Sequence, residues 1–386
     1  MATLVYPYVQ YSGIWNISSQ ANAKGAGTWP SPPPLPYLYS WGSNSNGQLG
    51  LGNTTYYSSP KQVGSLNNWS VLSGGGGFSH SIKTDGTLWS WGINSFGQLG
   101  LGNTTSYSSP KQIGSLTTWS KVSNGDSFCI AIRTDGTLWA WGRSNAGQLG
   151  LGNTTSYSSP VQVGLLTTWS NVYAGTNASY VIKTDGTLWV WGSNSFGGLG
   201  LGNTTNYSSP KQLGALTSWS IVAGGATHAY AIRTNGTLWS WGRNNIGQLG
   251  LNNTTYYSSP KQIGALTTWS KLSASRNQGY AIKTDGTMWA WGNNDVGQLG
   301  DGTTTNSSSP VQVGSLTTWL NVAGHYAGAM ATKTNGTAWG WGNNSDGEIG
   351  DGTRVSKSSP VQIGVLTTWG AMGKSLQTFS LAIASV

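Results

Sequence analysis

Short apolar or alternating stretches, each four to six residues long, recur along the chain between turn-forming residues. Residues 69 to 118 show one cycle. Trp69 to Leu72 predicts a first strand, Phe78 to Lys83 a second and Leu88 to Trp91 a third. Thr84-Asp85-Gly86-Thr87 between the second and third reads as a tight hairpin turn, with Gly86 where a positive φ is needed. A long glycine-punctuated loop leads to Ser109-Pro110-Lys111-Gln112-Ile113, a fourth strand whose proline and lysine suit an exposed sheet edge.

The cycle repeats every fifty residues. Trp-Gly recurs at Trp41, Trp91, Trp141, Trp191, Trp241, Trp291 and Trp341, and a second series runs Trp69, Trp119, Trp169, Trp219, Trp269, Trp319 and Trp369. A third runs from Trp89 to Trp339, with Tyr39 in the first copy. Seven four-stranded units of one period predict an all-β, closed seven-bladed β-propeller. The chain enters the pattern at a third strand, Leu38 to Trp41, and leaves after a second, Phe379 to Ile383. One blade is therefore expected to be built from both chain ends, which closes the ring without a capping repeat.

Asp85-Gly86-Thr87-Leu88-Trp89-Ser90-Trp91-Gly92, followed by Asn94, Gly97-Gln98-Leu99-Gly100 and Ser109-Pro110, resembles the signature of the regulator of chromosome condensation repeat family. The resemblance runs from about residue 35 to the C-terminus and implies a seven-bladed propeller, with no particular activity attached to the fold. Family members include a nucleotide-exchange factor that acts through a wedge breaking the repeat, and a photoreceptor that uses tryptophans outside the regular columns. The unbroken period leaves no room for a wedge. The stretches Gly75-Gly76-Gly77-Phe78-Ser79-His80 and Ala223-Gly224-Gly225-Ala226-Thr227-His228 carry no tryptophan.

Composition narrows the chemistry. Charged residues make up 8% of the 386, with 58 Gly and 22 Trp, which excludes the ordinary charged, helix-rich enzyme. No apolar run is long enough to span a bilayer as a helix, and the first residues lack the basic and apolar regions of a secretory signal. Cys129, the single cysteine, reads as a small buried hydrophobe. His80, His228 and His325 occupy different places in the period and form no ring of ligands. Asp85, Asp135, Asp185 and Asp285 are replaced by Asn235 and Asn335 in other copies of the hairpin turn, so they read as turn formers. The cluster Asp346, Glu348 and Asp351 fits no calcium loop and reads as repeat drift. No metal, cofactor or catalytic residue is expected.

The net charge of +9 arises from residues that follow the period. Lys83 and its equivalents flank the hairpin turn and Lys61, Lys111, Lys211 and Lys261 lie on the outer strand, which reads as solvated, edge-protecting charge rather than a surface for specific nucleic acid. The repeated Asn-Thr-Thr reads as loop chemistry.

Two stretches vary among the copies: the connection between first and second strands, and the residues after Trp-Gly. Alternating strand direction places both on one face of the disc. A recognition face is therefore expected to carry Phe78, His80, Phe96, Phe128, Asn145, Phe196, Ile246, Arg276, Asn294 and Tyr326.

Residues 1–34 stand outside the repeat and are expected to form a docking segment, with Trp15 and Trp29 as anchors, ending in the stiff spacer Ser31-Pro32-Pro33-Pro34; residues 35–386 form the propeller. The Trp-bounded block is similar to modules ahead of repeat domains in structural proteins of marine tailed phages. Together these features lead to the expectation of a non-enzymatic bacteriophage virion protein, joined to other virion proteins through its N-terminal segment and displaying the propeller toward a host-surface glycan or protein, with no membrane insertion. The alternative is a bacterial surface or intracellular interaction propeller.

Overall fold

In a computed structural model, residues 35–385 are described; Trp15 and Trp29 lie outside them. The described chain forms seven four-stranded antiparallel sheets, each one blade. Blade 1 consists of Trp69–Gly74, Phe78–Lys83, Leu88–Gly92 and Tyr107–Gln112. Blades 2 to 6 repeat this order, beginning at Trp119, Trp169, Trp219, Trp269 and Trp319. Blade 7 combines Tyr57–Gln62 and Pro36–Gly42 with Phe379–Ser385 and Trp369–Gly373.

The expected closure is present. Leu38 pairs with Ile383 and Trp41 with Ser380 in an antiparallel ladder that continues from Pro36 to Gly42. The first strand of every blade is innermost and touches its counterparts in both neighbouring blades, including Trp369–Gly373 against Trp69–Gly74 at the seam. The outer strand begins two residues before the expected Ser109, at Tyr107, so Pro110 sits within it. An edge strand tolerates the missing N–H.

The tryptophan columns explain the constant period. Trp91 is fully buried and its indole Nε1 donates to the Gln48 carbonyl of blade 7 at 2.8 Å. Equivalent blade-to-blade bonds run from Trp141, Trp191, Trp241, Trp341 and, across the seam, from Trp41 to the Glu348 carbonyl at 2.9 Å. Trp291 makes no such bond; Tyr230 donates its hydroxyl to the corresponding Gln248 carbonyl. Trp69 packs edge-on against both Trp89 and Trp91, with centroids 6.1 Å apart in each case. The glycine after each tryptophan is equally constrained. Gly92 has φ +106°, and a Cβ there would meet the Gly77 carbonyl at 2.5 Å.

The hairpin-turn reading of the aspartates holds. Asp85 Oδ1 accepts the Thr87 backbone N–H at 2.9 Å and the Thr87 hydroxyl at 2.6 Å, and Asn235 Oδ1 accepts the same two groups of Thr237. The neighbouring lysines differ from expectation. Lys83 is buried rather than solvated, its Nζ 3.9 Å from the Trp89 ring centroid and 4.9 Å from that of Trp69, and Lys333 lies likewise over Trp339 and Trp319. A cation over an indole face replaces part of the lost hydration. Burial lowers the pKa of both lysines.

Glu348 occupies the place of the glutamine found at Gln48, Gln98 and Gln148. Gln98 accepts the Phe96 N–H through Oε1 at 2.8 Å; Glu348 accepts the Asp346 N–H at 3.0 Å and the Asn343 side-chain amide. Burial, with the neighbouring Asp346 charge adding to it, raises the Glu348 carboxyl to about 7. A folded-state value above the unfolded one means that the protonated form favours folding, and this contribution is lost as pH rises through about 7. Glu348→Gln should therefore raise the melting temperature at pH 8.5 and leave it nearly unchanged at pH 4. The ceiling is about 3–4 kcal/mol, from a rise of 4.5 to about 7 at roughly 1.4 kcal/mol per pKa unit. Thermal melts at the two pH values check this.

Candidate functional site

Because strands alternate in direction, the connections between first and second strands and those between third and fourth emerge on one face, while the hairpin turns emerge on the other. The inner connections of blades 1 to 5 are tied each to the next. Gly76 N–H donates to the Asp126 carbonyl at 3.0 Å, Asp126 to Thr176 at 3.0 Å, Thr176 to Gly225 at 3.1 Å and Ala226 to Arg276 at 3.2 Å. The outer connections are fixed internally. Asn94 Oδ1 accepts the Leu99 N–H at 2.9 Å while its amide donates to the Asn103 and Thr105 carbonyls at 3.0 and 2.9 Å. This face is consequently preorganised rather than loose.

Of the ten residues expected on it, four are not surface residues. Phe78 and Phe128 are fully buried because the adjoining glycines let each ring fold beneath its own loop; a Cβ on Gly75 would lie 2.2 Å from the Phe78 ring. His80 is buried with Nδ1 2.9 Å from Asn124 Oδ1, its ring edge-on to Trp141. Asn294 is buried as the loop staple of its blade, bonding Leu299 and Thr305 as Asn94 bonds Leu99 and Thr105. All three histidines are buried, and desolvation lowers His80 and His228 to about 3 and His325 to about 4. Burial likewise pushes the Cys129 thiol up. None of these groups is accessible as an acid, base or nucleophile.

The other six remain at the surface: Phe96, Asn145, Arg276 and Tyr326 exposed, Phe196 and Ile246 half-buried. Phe96 and Phe196 combine with residues outside the expected set, and Arg276 and Tyr326 combine with each other. The Arg143 guanidinium lies 4.7 Å from the Phe96 ring centroid, that of Arg243 5.1 Å from Phe196, and that of Arg276 4.8 Å from Tyr326. Tyr256, itself exposed, stands edge-on to Phe196 with centroids 5.8 Å apart. Each arginine–aromatic pair bridges two blades: 1 to 2, 3 to 4 and 5 to 6. Arg143 and Arg243 immediately follow Trp-Gly, at a position already marked as variable, which was the available signal.

The only ion pairs among the described residues are Arg133–Asp135 at 3.8 Å and Lys357–Asp351 at 3.6 Å, so the three face arginines have no carboxylate partner there. Asp346 is held elsewhere, its Oδ2 accepting the Thr378 hydroxyl at 2.6 Å. Among the described residues no group of three His, Cys, Asp or Glu side chains is placed to hold a metal ion. No helix of the described chain is long and apolar enough to cross a membrane.

The regulator of chromosome condensation (RCC1) repeat profile matches residues 37–82, 85–132, 135–182, 185–232, 235–282 and 285–331. This chain belongs to the RCC1 repeat family. A second RCC1 repeat profile matches residues 119–148, 169–197 and 219–248. Among solved structures, the RCC1 repeat propeller is similar to Prp20p of Saccharomyces cerevisiae, a protein with binding properties toward Gsp1p and histones, at 20% identity and TM-score 0.80 over 92% of each chain. It is also similar to human WBSCR16, at 19% identity and TM-score 0.81 over 91% of this chain and 99% of that one. These similarities establish the fold. No curated protein matches the sequence.

Proposed function

We propose that this RCC1 repeat propeller is a non-catalytic binding platform whose partner, a protein, docks on the face carrying the arginine–aromatic pairs. The observation that carries this reading is the set of three pairs, Arg143–Phe96, Arg243–Phe196 and Arg276–Tyr326, each spanning a blade boundary on a preorganised face. Arginine and large aromatic side chains dominate the energetics of protein interfaces, and stacking limits the rotamer entropy each loses on binding. The family match and the protein-binding properties of Prp20p support the interaction platform, the second of the two readings from sequence, over the virion reading. The burial of every histidine and of Cys129 supports a non-catalytic role.

The test compares proteins co-purifying with three forms: the wild-type chain, a face variant with Phe96→Ser, Phe196→Ser and Tyr326→Ser, and a control altered on the opposite face. Leu165→Ser with Val365→Ser serves as the control, since both residues are about nine-tenths exposed. Partners retained by wild type and control should fall at least tenfold with the face variant. Equal recovery by all three forms would move the binding surface elsewhere.

A further inference from the structure

The seven inner strands enclose an axial cavity of about 230 Å³, lined by residues of every blade, among them Leu72, Val122, Tyr173, Val222, Leu272 and Val322. One charged side chain enters it from the seam blade: Lys374. Its Nζ donates to the Ala174 carbonyl at 3.1 Å and to the Gly224 carbonyl. Ala174 ends the inner strand of blade 3 and Gly224 that of blade 4, the two blades directly opposite blade 7 in a seven-membered ring. The lysine therefore crosses the channel.

Three independent features allow this. The equivalent positions in the other copies are Gly74, Asn124, Ala174, Gly224, Ala274 and Gly324. All but Asn124 are small, and the Asn124 amide is turned away to donate to the Ser73 carbonyl at 2.8 Å. The inner strand is a sheet edge, so its outward carbonyls have no ladder partner and are available to a donor. Finally, the seam blade has an extra residue here: six residues separate Ser73 from its partner His80, but seven separate Gly373 from Leu381. Lys374 is half-buried and contributes to the lining of the cavity.

We propose that the channel axis carries an ammonium-binding site made by the Ala174 and Gly224 carbonyls, and that Lys374 is its tethered occupant, closing the channel and linking the seam blade to the far side of the ring. An ammonium group supplies three donors in a compact head, matching carbonyls that approach from one side. Desolvation in this position lowers the Lys374 pKa to about 8, and the Lys374 charge adds to the depression of His228, which lies buried nearby. The site's ligand class is a primary alkylammonium ion.

Lys374→Ala vacates the site, so n-butylammonium should raise the melting temperature of that variant in a saturable manner. The same concentrations of n-butanol or sodium chloride should not, and the wild-type protein should show no saturable shift with any of the three. Absence of an amine-specific shift in Lys374→Ala, or an equal shift in wild type, would overturn the proposal.

Discussion

Truncating the chain after Trp369 is expected to abolish cooperative unfolding. The truncation removes Phe379–Ser385, which pairs along the whole length of Pro36–Gly42 and contributes the buried side chains of Phe379, Leu381 and Ile383. Burying one such side chain stabilises by about 1.5–3 kcal/mol. Their loss approaches the whole net stability of a domain, roughly 5–15 kcal/mol. Removal also uncovers the facing surfaces of blades 1 and 6 and leaves Pro36–Gly42 with an unpaired edge. An open array of blades keeps only nearest-neighbour contacts and unfolds gradually from its ends. Differential scanning calorimetry should show one sharp transition for the full chain and a broad, low-enthalpy one for the truncated form. A transition of unchanged width and temperature would contradict ring closure by the two chain ends.

The second large effect is expected from Trp191→Ala. Trp191 is fully buried, donates to the Gln148 carbonyl at 2.9 Å and packs edge-on against Trp169. Removing a buried tryptophan costs about 3–5 kcal/mol through lost transfer energy and the cavity left behind. The Gln148 carbonyl is not orphaned, because the Ser179 hydroxyl still donates to it at 2.8 Å. The cost is therefore one of packing. Trp189, two residues earlier, is only half-buried, with Lys183 over its outer face, and Trp189→Ala should cost less than half as much. Chemical denaturation of the two variants measures the difference. Equal destabilisation would mean that the two tryptophan columns do not play the distinct roles their burial assigns.

The architecture was legible in the sequence because a propeller blade is one supersecondary unit and the period reports it directly. Trp41 and Phe379–Ile383 located the closure for the same reason: they are fragments of a known unit at the two chain ends. The recognition face was only partly legible. Phe78, Phe128 and His80 belong to the second strand, which is interior to its blade, and both faces of that strand pack on neighbouring blades. No solvated face exists there, so an aromatic residue next to a variable loop is core rather than surface. Asn294 illustrates the converse error. A polar residue in a loop looks accessible, yet here it satisfies the backbone groups of a buried turn.

The arginine–aromatic pairs were illegible for a geometric reason. Phe96 and Arg143 are far apart in sequence but adjacent across a blade boundary, and only the register of neighbouring blades brings them together. Lys374 meets carbonyls three blades away in either direction around the ring, a contact no local pattern encodes. Its sequence signal is a charged residue where the other copies carry small residues or asparagine.

The central claim, that a protein partner docks on the loop face, is tested most directly by site-specific photo-cross-linking in the native source. A photoreactive amino acid is placed in turn at Phe96, Phe196 and Tyr326 on that face, at Lys111 on the rim and at Leu165 on the opposite face. A common cross-linked protein is expected from the three face positions and none from Lys111 or Leu165. Cross-links to that protein from Leu165 or Lys111, with none from the three face positions, would contradict it.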